Sequence, residues 1–90
     1  MNVFGAPDIM AMLQLCQSVE ENCRRDAFVA LGNIAIVAAN QLLIAKSGGL
    51  VYVIESLSGK FESCQNFACR LLYRLTAQAE IQREVKHFLF

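Results

Sequence analysis

The chain repeats itself with a period of 41 residues, and that repeat limits what it can fold into. Sliding the sequence by 41 positions lays residues 27–34 on residues 68–75, pairing Ala27 with Ala68, Leu31 with Leu72 and Ile34 with Leu75. The same shift pairs Ile9 with Leu50, Leu13 with Ile54, Cys23 with Cys64 and Gln41 with Gln82, and it puts Val3, Ile44 and Val85 in one column. A helical unit of that length predicts stacked helices in which each unit buries its apolar face against its neighbour.

The periodicity within each unit is helical. Ile9, Met12, Leu13 and Cys16 lie at i, i+3, i+4 and i+7, the spacing of one helix face. Pro7 and Asp8 read as a start signal, with Asp8 as the expected cap. Residues 3–5 read as the tail of an earlier helix, and the polar residues 18–22 as a loop. A long helix is expected from about Cys23 to Ala38, with Ala27, Leu31, Ile34 and Ala38 as its stripe. Asn40 is the expected cap of a short helix ending near Lys46. Ser47, Gly48 and Gly49 then break the chain, because glycine permits a positive φ and a sharp change of direction. Leu50, Val53, Ile54 and Leu57 restart the pattern. Residues 50–54 are β-branched enough to suggest a strand, but their partners 41 residues earlier favour a helix. Ser63 is the expected cap of a second long helix carrying Ala68, Leu71, Leu72 and Leu75. A further short helix opens near Glu80.

Of the 90 residues, 56% are hydrophobic and 18% charged, which argues against disorder. A compact monomer of this size has little interior in which to hide that apolar surface. Eight basic and eight acidic residues balance to zero, so the basic surplus of a nucleic-acid binder is missing. The four cysteines, without a secretory leader, read as reduced thiols of a cytosolic or nuclear protein. Cys23 and Cys64, at equivalent positions, are expected to be small buried hydrophobes. Metal and cofactors are not expected: no close Cys pair is present, and His87 is the sole imidazole. An enzyme is not expected either, since no base stands beside an activatable nucleophile and no phosphate-binding glycine loop occurs.

The stretch from Asn40 and Gln41 through Ile44 to Gly48, Gly49 and Leu50, together with Ala30, Leu31, Asn33, Ile34 and Ala35, resembles the armadillo repeat. That family's unit is a short helix, a Gly-Gly bend, a medium helix and a long helix built on Ala-Leu-x-Asn-Leu. The resemblance covers nearly the whole chain. It implies an all-α, right-handed α-α superhelix of about two repeats: a partial repeat over 1–39, a complete one over 40–79 and the start of a third over 80–90. There are departures. Pro7 and Asp8 stand where the first unit would carry Gly-Gly, Leu89 and Phe90 where the third would, and Arg74 replaces the Asn of the second long helix.

The resemblance further implies a non-catalytic protein-protein interaction module whose long helices line a groove for an extended peptide. Asn33 is the position whose amide would reach the ligand backbone, having both a donor and an acceptor. One turn away on the same face lies Val29, and the second unit offers Arg70 and Arg74. The family's nuclear-import receptors carry Trp in this groove, and this chain has none. Two guanidinium groups one turn apart suit a carboxylate or phosphate, so an acidic or phosphorylated peptide is the expected partner. The competing expectation has both Arg balanced by Glu62 or Glu80. Glu20 and Glu21 are expected to pair with Arg24 and Arg25, and Tyr52 and Tyr73 to pack at the edge of the core.

Stable solenoids need roughly three or more repeats. The chain therefore reads as a piece of a longer scaffold or adaptor, prone to self-association through exposed ends. No membrane partner is expected. The alternative is a single-pass anchor over residues 27–45, an uncharged run close to the roughly 20 residues that cross a bilayer. Against it, Asn33, Asn40 and Gln41 lie inside the run, and each amide is costly in hydrocarbon.

Overall fold

The computed structural model describes residues 5–89, which form six helices and no strand. These are α1 (Ala6–Leu15), α2 (Glu21–Ile34), α3 (Ala38–Lys46), α4 (Gly49–Leu57), α5 (Glu62–Leu75) and α6 (Ala79–Leu89). Residues 50–54 are helical despite their β-branched character. The helix tail expected over 3–5, and the apolar ends Val3, Phe4 and Phe90, fall wholly or mostly outside the described residues.

The two long helices have 14 residues each and begin 41 residues apart, as do the starts of α3 and α6. The offset recurs in the polar contacts that terminate the helices. Gln41 Nε2 donates to the Ala35 carbonyl at 2.7 Å, and Gln82 Nε2 donates to the Thr76 carbonyl at 2.6 Å. Likewise Arg24 Nε donates to the Ser18 carbonyl at 3.0 Å, and Gln65 Nε2 donates to the Gly59 carbonyl. Each is a side chain reaching six residues back to close the turn before its own helix.

Those hydrogen bonds also correct several expected boundaries. The first long helix begins at Glu21 and ends at Ile34, not Ala38. Asn40 is not a cap, since Val37 holds that position. Its Nδ2 instead donates to the Ile34 carbonyl at 2.9 Å. With Asn40 and Gln41 satisfying the carbonyls of Ile34 and Ala35, the chain can leave the helix at no cost in unpaired acceptors. Asp8 is not a cap either: Gly5 is, and the Asp8 carboxylate accepts the Gly5 N–H at 3.0 Å. Ser63 yields its expected role to Phe61 and donates its hydroxyl to Glu21 Oε2 at 2.7 Å, joining α5 to α2.

The break after Ile34 also removes the basis for the membrane anchor. The uncharged run 27–45 is split between α2 and α3, and no helix of the described residues is long and apolar enough to cross a membrane.

Helix α5 packs against both α2 and α4, α1 packs against α2, and α3 bridges to α1, α4 and α5. The body measures 34 × 29 × 17 Å. One continuous core joins Ile9 and Leu13 of α1, Phe28 and Leu31 of α2, Ile44 of α3, Leu50 and Val53 of α4, and Leu71 and Leu75 of α5. Ile81 anchors α6 to the core and is 1% exposed. The bend between α3 and α4 is made by Gly48 at φ 83°. Gly49 sits where a Cβ would lie 2.8 Å from the Ile44 carbonyl oxygen, so the two glycines are needed for different reasons.

Candidate partner-binding surface

Because α2 and α5 lie side by side with the same length and offset, equivalent positions on them fall close together. Val29 and Asn33 are one turn apart on α2, and Arg70 and Arg74 are one turn apart on α5. All four line one shallow depression of about 80 Å³, together with Phe28, Gly32 and Phe67. Val29 is half-buried at its edge, whereas Asn33, Arg70 and Arg74 are exposed.

The depression is cationic. Among the described residues the sole ion pair is Arg25 with Asp26, at 3.2 Å. The expected balancing of Arg70 and Arg74 by Glu62 or Glu80 is therefore absent, as is the pairing of Glu20 and Glu21 with Arg24 and Arg25. Arg24 is committed to the Ser18 carbonyl and lies 5.4 Å from the centre of the Phe61 ring. Arg70 lies 5.4 Å from the centre of the Phe67 ring. The attraction of a guanidinium for an aromatic face holds it there without neutralising it, so its N–H groups stay available to an anion. Phe67 is a site residue that the apolar spacing did not single out. Its position three residues before Arg70 was the available signal.

Arg74 also borders a second, larger cavity of about 440 Å³, lined by Ala35, Ile36, Gln41, Tyr73, Thr76 and Ala77. Tyr73 was expected to pack at the core edge. It is instead 81% exposed, and Ile36 is 65% exposed. Beneath them Gln41 Oε1 accepts a hydrogen bond from Gln78 Nε2 at 2.7 Å, fixing the chain entering α6 against the start of α3.

The four cysteines are free. Cys16 and Cys64 are buried, and Cys23 and Cys69 are exposed, so the expected equivalence of Cys23 and Cys64 fails. Cys64 lies between α5 and the first turn of α2, with its Sγ 3.8 Å from the Glu21 carbonyl. Cys23 has no unit before it to cover it among the described residues. Burial pushes the Cys16 thiol up to about 12 and also raises Cys64. Among the described residues, no three His, Cys, Asp or Glu side chains are grouped to hold a metal ion.

Compared with known proteins, the chain matches no family model, no curated protein and no solved structure.

Proposed function

We propose that this chain is a segment of about two armadillo-type repeats, forming a right-handed solenoid over 1–39, 40–79 and the start of a third unit at 80–90. It acts as a non-catalytic protein-binding module of a longer scaffold or adaptor. Its ligand is an extended peptide, acidic or phosphorylated, lying across α2 and α5. No cofactor or nucleic acid takes part. The observation that carries this reading is the shared depression that gathers Val29, Asn33, Arg70 and Arg74, with both Arg side chains free of acidic partners among the described residues. The recurring hydrogen bonds of Gln41 and Gln82 support a repeated unit. Exposed Leu15 and Val19 beyond one end, and Phe88 at the other, support self-association.

The test is fluorescence anisotropy with a pool of labelled acidic peptides of about twelve residues, which span roughly 40 Å when extended. Charge reversal at Arg70→Glu and Arg74→Glu should weaken binding by about tenfold or more for each guanidinium replaced. Binding should also weaken with added salt, because exposed charges are screened beyond about 10 Å at 0.1 M. Equal affinity for the doubly reversed variant would end this reading.

A further inference from the structure

We infer that the 440 Å³ cavity beside Arg74 is a pocket for one large apolar side chain of the bound peptide, placed two residues from its anionic group. This rests on the peptide-binding reading above and names the ligand's pattern.

The cavity lies where α2 and α5 end. Ala35 and Thr76 are the C-caps of the two helices, and both line it. Helix C-termini carry partial negative charge, so this position disfavours an anion. The carbonyls of Ala35 and Thr76 are already engaged by Gln41 and Gln82, which leaves little polar demand on a ligand there. The remaining walls offer Ile36 and the Tyr73 ring, both more exposed than large apolar groups of a free-standing surface need be.

Arg74 is common to this cavity and to the cationic depression. It thus sets a register. An anion held by Arg70 and Arg74 lies toward the helix interiors, and the adjoining apolar group lies toward the helix ends. In an extended peptide, side chains two residues apart point to the same side and are about 7 Å apart. The ligand class is therefore an extended segment with an anionic residue, one spacer and a Leu-sized or aromatic residue.

The full chain would be titrated with three labelled peptides built on a Gly-Ser background. One carries Glu, a spacer and Leu, one carries Glu, a spacer and Gly, and one carries phosphoserine, a spacer and Leu. The Glu-Leu peptide should bind about tenfold tighter than Glu-Gly, the return expected from covering one apolar side chain. Ile36→Ser and Tyr73→Ser, both exposed and so compatible with folding, should each shrink that difference and leave Glu-Gly affinity unchanged. The phosphoserine peptide reports the source of the anion. Whether it ranks above or level with Glu-Leu, tight binding by both supports the pairing of anion and apolar group. Equal affinity for Glu-Leu and Glu-Gly, with charge reversal at Arg70 and Arg74 still weakening both, overturns the pocket and leaves the peptide reading standing. No binding by any of the three overturns both.

Discussion

Gln78 Nε2 donates a 2.7 Å hydrogen bond to Gln41 Oε1 across 37 residues of chain, while Gln41 Nε2 closes on the Ala35 carbonyl at the same distance. One buried amide therefore ties the end of α2, the start of α3 and the turn before α6. Its counterpart Gln82 makes the same backbone hydrogen bond but is exposed. The asymmetry yields a prediction. Gln41→Leu keeps the side chain's bulk but strands the Ala35 carbonyl and the Gln78 amide, a cost of about 1–3 kcal/mol. For a domain of this size, each kcal/mol lowers the melting temperature by about 4–8 °C. Gln82→Leu should shift it far less, because water can replace the amide at the Thr76 carbonyl. Thermal melts followed by circular dichroism would separate the two, and equal shifts would contradict the role given to Gln41.

Gly32, Gly48 and Gly49 make three different demands. Gly32 lies inside α2, and a Cβ there would meet nothing within 4 Å. Gly32→Ala should therefore stabilise the fold by roughly 0.5–1 kcal/mol, the gain of replacing a mid-helix glycine. Gly48→Ala should cost about 1–2 kcal/mol, because φ 83° forces Cβ against the following carbonyl. Gly49→Ala places Cβ 2.8 Å from both the Ile44 carbonyl oxygen and Ile44 Cγ2, and 3.2 Å from Leu13. That overpacking should cost about 1–3 kcal/mol and push α4 away from α1. Urea unfolding of the three variants should give one gain and two losses, and a loss at Gly32 would contradict the open space beside it.

These residues also show which parts of the fold were legible in the sequence. The 41-residue offset, the bend at Gly48 and the helical state of residues 50–54 followed from spacing and glycine placement. The end of α2 did not. The apolar pattern runs through Ala35 toward Ala38, and nothing local stops it. The stop comes from Asn40 and Gln41, whose amides reach six residues back, an interaction that hydrophobic periodicity cannot register. Val29, Asn33, Arg70 and Arg74 were chosen on helical spacing and resemblance, and α2 and α5 do bring them together. Phe67 under Arg70, and the cavity at Ile36 and Tyr73, depend on where two helices end relative to each other. That relation exists only after packing.

The thiols give the last prediction. Cys16 is 2% exposed, and burial, the largest influence on it, raises its pKa from 9.0 to about 12. A thiol held neutral by burial is a poor nucleophile, since the thiolate is the reactive form. In the folded protein at pH 8, iodoacetamide should label Cys23 and Cys69 first, with Cys16 and Cys64 modified only after denaturation. Peptide mass mapping would read this directly, and Cys16 labelling as fast as Cys69 would contradict its burial. The same shift makes stability depend on pH. Between pH 9 and about 12 the unfolded chain releases the Cys16 proton and the folded chain keeps it. The native state then binds more protons, so stability falls as pH rises through that window, and below pH 9 this contribution is fully present. The slope from one such group is about 1.4 kcal/mol per pH unit. Tyrosines and lysines titrate in the same range, so the comparison that isolates the thiol is Cys16→Ala. Its urea midpoint will be lower at pH 8, because a buried side chain has been trimmed. It should fall less steeply between pH 9 and 11 than the parent's, and parallel curves would mean that Cys16 reaches solvent in the folded state.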